Sequence, residues 1–146
     1  MERHLDVELS DLKKKLLLMG GSVESQLQDV LQALTERDSD LAIRVVENDL
    51  VINALDLEID ETCLDLLALH HPKAGDLRFI TTTMKISAEL EQMGDLAENI
   101  AERAIELNEE SVAFRPGNSS NQGHYLSNLG NTIQQRYEWT GSYVIY

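Results

Sequence analysis

Two runs of oxygen-bearing side chains stand out for the chemistry they allow. Asp49, Asn53, Asp56 and Asp60 recur with steps of 4, 3 and 4, and Glu91, Asp95, Glu98 and Glu102 repeat those steps. At 3.6 residues per turn each set lies along one face of a helix. Acid following acid at i, i+4 is destabilising by a few tenths of a kcal/mol per exposed pair. Carboxylates crowded together must be protonated, hydrated apart or bridged by a cation. Their oxygens are the donor set of hard or borderline ions such as magnesium, manganese, calcium or iron.

Those faces need helices to carry them. Leu5, Leu9, Leu12, Leu16, Met19, Val23, Leu27, Val30 and Leu34 keep a helical period across Gly20 and Gly21. The phase survives the two glycines, so they predict close helix packing or a slight bend. A second stripe, Leu41, Val45, Ile52, Leu55, Ile59, Leu66 and Leu69, follows the charged Glu36–Asp40 stretch, where Asp38 or Ser39 can cap a helix. A third, Ile86, Leu90, Met93, Ala97, Ile100, Ala104 and Leu107, is a heptad seam. Pro72 ends the second helix, and His70 and His71 read as turn residues rather than metal ligands. Cys63, among apolar neighbours, reads as a buried inert thiol.

Helices are expected over residues 3–36, 40–70 and 75–109, with short connections that make neighbours antiparallel. Each would be about 45–50 Å long. The fold class is all-α: an elongated up-down-up three-helix bundle over residues 1–110, with an irregular tail over 111–146. A short helix or strand around Tyr125 to Ile145 is the one element expected in that tail. Residues 1–110 hold 10 Lys+Arg and 25 Asp+Glu, whereas the tail holds Arg115, Arg136 and Glu138.

Counting from Pro72 adds height. Asn53 lies 19 residues before it and Glu91 19 after; Asp49 lies 23 before and Asp95 23 after. In an antiparallel hairpin these four are level, so Asp49, Asn53, Glu91 and Asp95 are the candidate metal ligands. Glu24 reaches the same level from the first helix. A solvated acidic face is the other reading of the same spacing.

Composition bounds the partners. A net charge of -14 in 146 residues leaves no electrostatic footprint for nucleic acid or an anionic membrane. No apolar run is longer than Leu16 to Met19, far too short to span a bilayer, and the charged N-terminus is unlike a signal peptide. A single cysteine excludes an intramolecular disulfide and fits a reducing compartment. No phosphate-binding glycine loop, nucleophile elbow or Cys/His pair is present, and no enzyme activity is expected.

Several segments together resemble one family. Leu90-Glu91-Gln92-Met93-Gly94-Asp95-Leu96-Ala97 resembles the LERIGD-type signature of PhoU proteins, and His71-Pro72-Lys73-Ala74-Gly75-Asp76-Leu77-Arg78 resembles their QP-x-A-x-DLR turn. Met19 to Glu24 and Val45 to Asp49 also fit, and the likeness covers about residues 5–110. The resemblance implies two similar three-helix bundles whose E(D)-x-x-x-D motifs bind metal, here on Asp49/Asn53 and Glu91/Asp95. It also implies a cytoplasmic negative regulator of phosphate uptake signalling. Such a protein links the ATPase of a phosphate-specific ABC transporter to a sensor histidine kinase. Pairing with a second copy as a homodimer is a separate expectation for this chain. Gln92-Met93 and Asn53 depart from the usual pattern. Residues 111–146 contain no second signature. The chain is therefore expected to be truncated, through a reading-frame shift soon after Glu110, with a natural polar tail as the alternative.

Overall fold

The structure is a computed structural model that describes residues 4–113. Three helices follow one another: α1 (His4–Glu36), α2 (Ser39–His70) and α3 (Ala74–Ala113). No strand occurs among the described residues, and none of the helices is long and apolar enough to cross a membrane. The tail expectations, from the boundary near 111 to an element around Tyr125, fall almost wholly outside the described residues. Only the last turn of α3 overlaps them. The chain divides into compact units at Glu106 and Leu107, and the bundle described below is the first of these.

Local chemistry sets the helix ends. Arg37 takes the left-handed conformation, φ 55°, and the Asp38 amide donates back to the Ala33 carbonyl at 3.0 Å. That geometry satisfies a carbonyl left open at the end of α1. Asp38 then caps α2, its Oδ1 accepting from the Leu41 amide at 3.0 Å. At the far end His71, φ 40°, closes α2 immediately before Pro72. The turn role expected of both histidines holds for His71, whereas His70 is the last residue of α2.

The apolar core joins Leu5, Leu12, Met19 and Val23 of α1 to Ile52, Ile59, Cys63 and Leu66 of α2 and Ile80 of α3. Burial, assisted by the nearby Asp60 charge, pushes the Cys63 thiol up to about 11, so it stays protonated and inert.

Two expectations are corrected. A Cβ at Gly20 or Gly21 would meet nothing within 4 Å, so neither glycine serves close packing inside this bundle. On α3 the large residues of the heptad seam face outward: Ile86, Met93, Ile100 and Leu107 are 40–59% exposed. The buried side is instead Ile80, Thr83, Ser87, Gly94, Ala97, Glu98, Ala101, Ala104 and Ile105. Small side chains let α3 approach its neighbours closely, and that approach holds the polar groups described next.

Candidate metal centre

Midway along the bundle the core turns polar. Asp49 on α2 is fully buried, and on α3 Glu98 is 5% exposed with Asp95 half-buried. Each of these three carboxylates offers an oxygen, and the oxygens lie within 4.8 Å of one another. Gly94 makes the approach possible: a Cβ there would stand 3.3 Å from Asp49 Oδ1 and 3.3 Å from Ile52 Cγ2. Such contacts force a neighbour to give way, so glycine lets α2 and α3 close around the Asp49 carboxylate.

Behind the carboxylates lies a layer of amides. Gln26 of α1 is buried, and its Nε2 donates to the Gly94 carbonyl at 3.3 Å. Its Oε1 accepts from Asn48 Nδ2 at 3.4 Å. The Ser87 hydroxyl donates to Asp56, tying α3 to α2 one layer nearer the Pro72 turn. Buried polar groups are costly unless paired, so this layer fixes the register of all three helices.

Asn53 donates from Nδ2 to Asp49 Oδ2 at 2.9 Å, which orients that carboxylate. The Asn53 amide oxygen is itself buried and accepts no hydrogen bond among the described residues. A buried carbonyl oxygen without a donor suits a cation. Glu91 is pushed up to about 7, first by burial and then by the charge of Asp95, with which it shares a hydrogen bond, and by Asp56 and Asp49. Glu102, one turn beyond Glu98, is also raised, by burial and by the charges of Glu106 and Asp49, with Arg103 opposing. Acidic groups displaced in this direction mark a place where negative charge is in excess. The donors present fit a hard or borderline cation.

Asp49 and Asp95, level by sequence count, do meet. Asn53 hydrogen-bonds to the first, and Glu91 to the second. Glu24 is exposed and does not reach this level inward; Gln26 does. Glu98 completes the close group, and level counting missed it. It lies three residues beyond Asp95 on the same face, and the acidic stripe already contained it. Gln26 had no such signal, since a lone glutamine on a leucine-rich helix reads as surface.

Three packed helices with converging oxygen donors between the second and third define an all-α bundle with a candidate cation site. The chain belongs to the PhoU family: residues 16–104 match the PhoU domain. It is 42% identical over 101 residues to the phosphate-specific transport system accessory protein PhoU of Escherichia coli, covering 69% of this chain and 42% of that one. Identity is 44% over 115 residues to the homolog from Pseudomonas aeruginosa, covering 79% and 48%. The crystal structure of PhoU from Pseudomonas aeruginosa superposes with a TM-score of 0.72 at 39% identity, over 90% of this chain and 60% of that one. The regulatory PhoU protein from Streptococcus pneumoniae gives 0.68 at 32% identity, over 86% and 57%. The chain thus spans less than half the length of these two curated relatives.

Proposed function

We propose that this chain is a regulator in bacterial phosphate uptake signalling and that it holds a divalent or iron-type metal ion between α2 and α3. The observation that carries the reading is the acidic cluster's position inside the residues that match the PhoU domain. Asp49, Asp95 and Glu98 would hold the ion, with Asn53 and Glu91 at the margin as further oxygen donors. The proposal assigns the chain no catalytic step. Its partners would be the ATPase of a phosphate-specific ABC transporter and a sensor histidine kinase, met at the cytoplasmic face. The relatives' names, which make them accessory to phosphate-specific transport, support transporter-related partners.

The test is complementation in a bacterium lacking its own family member. Weak repression of phosphatase in high phosphate is the expected result for residues 1–146, which span less than half the length of these curated relatives, and an Asp49→Asn, Asp95→Asn double variant should lose it; full repression would make one bundle sufficient. No repression at all by the wild-type chain would favour the alternatives: a stand-alone acidic metal-binding bundle if metal binding is intact, a nonfunctional fragment if it is not.

A further inference from the structure

Alternate members of the α3 heptad seam go to different places. Leu90 packs against the apolar core, and Ala97 and Ala104 are buried. Ile86, Met93 and Ile100 turn outward, and Leu96, 59% exposed, joins them. At 1.5 Å per residue this row is about 21 Å long. An apolar row on heptad spacing, left in water, is the kind of surface that another helix covers in a coiled coil.

The row lies on the flank of α3 away from the acidic cluster. Ile86 and Met93 each precede an inward residue, Ser87 and Gly94, by one position, about 100° round the helix. Asp95, next after Gly94, turns the other way to meet Asp49. Gln26 reaches the Gly94 carbonyl, and Ser87 Oγ lies 3.4 Å from Met19 Sδ; both pairs are 68 residues apart. So α1 runs parallel to α3, with residue i level with residue i+68. Gly20 therefore stands level with Ala88, and a Cβ there would meet nothing within 4 Å. Lys15 and Glu8, which pair with Glu58 and His70 of α2, mark the opposite flank of α1. Beside the row, then, α1 presents a residue with no side chain, at a cost of about 1 kcal/mol in helix propensity that no packing inside the bundle offsets.

The charges bordering the row decide what it takes. Lys85 and Glu89 precede Leu96 by 11 and 7 residues, and Arg103 and Glu106 follow it by 7 and 10; all four are exposed. With a second copy antiparallel and the two Leu96 side chains together, Glu89 stands level with the partner's Arg103. Lys85 then stands one residue from the level of the partner's Glu106. Two-fold symmetry repeats each pair. A parallel alignment would instead set glutamate against glutamate and arginine against arginine. Arg103 pairs with Glu106 of its own helix in this structure, but both are largely exposed and such a pair is weak and readily exchanged. Another exposed heptad row, Leu50, Leu57 and Leu64 of α2, is bordered by Glu47, Glu61 and Asp65, so self-pairing there would set acid against acid.

We propose that two copies of this chain pair through the outward row of α3, antiparallel, about a two-fold axis beside Leu96. The net charge of -14 on each copy opposes association. At physiological salt, charges more than about 8 Å apart are largely screened, which leaves the outcome to groups within the contact. The row is short, so the dimer should be weak, with a dissociation constant in the micromolar range. The inference rests neither on the metal site nor on phosphate signalling.

The test is sedimentation of the full chain in chelator, so that no metal bridges copies. Monomer and dimer should exchange over about 1–100 μM. Leu96→Glu brings two carboxylates together at the axis and should weaken pairing at least about tenfold. Glu89→Arg and Arg103→Glu each reverse two symmetry-related pairs and should weaken it roughly fivefold, although one lowers the net negative charge and the other raises it. The double exchange restores opposite charges and should return to within about twofold of wild type. Circular dichroism checks that each variant keeps its helices, and the exposed charge exchanges carry the test if Leu96→Glu does not fold. A chain monomeric at about 100 μM, a dimer indifferent to Leu96→Glu, or a double exchange no tighter than its parts would overturn the contact.

Discussion

The bundle has two interiors. Towards the Pro72 turn, Leu12, Met19, Ile59, Cys63, Leu66 and Ile80 form an apolar cluster, almost wholly removed from water. Farther from that turn, Asp49, Glu98 and Gln26 occupy equivalent inward positions. Removal of hydrocarbon from water stabilises the first region. The second region opposes folding unless its charges are neutralised, because like charges at short range repel most where water is excluded. The apolar cluster thus supplies stability without opposition, whereas the acidic layer, with buried Val30, Ala33, Leu41, Ala42, Val45 and Val46 farther still from the turn, holds a strained group of carboxylates that a cation or a proton relieves. Adapting a helical bundle to bind a cation weakens one layer, and neighbouring layers must compensate.

The largest effect belongs to the apolar half. Ile59 is fully buried, and Ile59→Ala should cost about 3 kcal/mol through lost burial and the cavity left behind. Thermal or urea unfolding without metal measures it. A loss under about 1 kcal/mol would break the contrast by showing that this half is not where stability resides.

Next comes relief of the acidic half. A cation bound only by the folded bundle, at about one hundred times its dissociation constant, should add about 2.7 kcal/mol. Melting with manganese, iron or magnesium against chelator reads this out. Asp95→Asn should remove most of the shift and raise the stability of the metal-free protein. Equal shifts in wild type and variant would place the ion elsewhere.

Protons should act in the same direction as metal. The folded Glu91 carboxyl titrates at about 7 against an ordinary 4.5, so between those values the folded chain binds more protons than the unfolded one. Its contribution is therefore fully present below about 4.5 and is lost as pH rises through about 7. The metal-free melting temperature should fall over that window, and Glu91→Gln should flatten the slope. A wild-type profile as flat as the variant's would show that the cluster carries little strain.

The smallest expected change is at the junction of the two helices. Gly94→Ala gains helix propensity of about 1 kcal/mol and loses a similar amount to crowding against Asp49 and Ile52. Net stability should move by less than about 1 kcal/mol, while metal affinity falls because Asp49 Oδ1 is pushed aside. Unchanged affinity would show that the carboxylate has room the present packing does not suggest.

How much of this was written in the residues divides by the range of the interaction. Helix limits come from local rules. Asp38 caps, Pro72 terminates, and the 3.6-residue period runs unbroken between, so the three helices match their expected spans closely. Antiparallel pairing of two helices across a short turn also fixes height. Asp49 and Asp95, each 23 residues from Pro72, therefore converge as counted. Rotation of a helix about its own axis is not local. On α3 the large residues Ile86, Met93 and Ile100 announce a core face, yet Ser87, Gly94 and Glu98 face inward. That choice depends on which surfaces α1 and α2 present, through Gln26 reaching the Gly94 carbonyl and Asp56 receiving the Ser87 hydroxyl. Likewise, nothing in the chain links Glu8 to His70 until α2 returns beside α1. Residues near in sequence settle the helices and their ends; only packing among all three decides which side chains share a site.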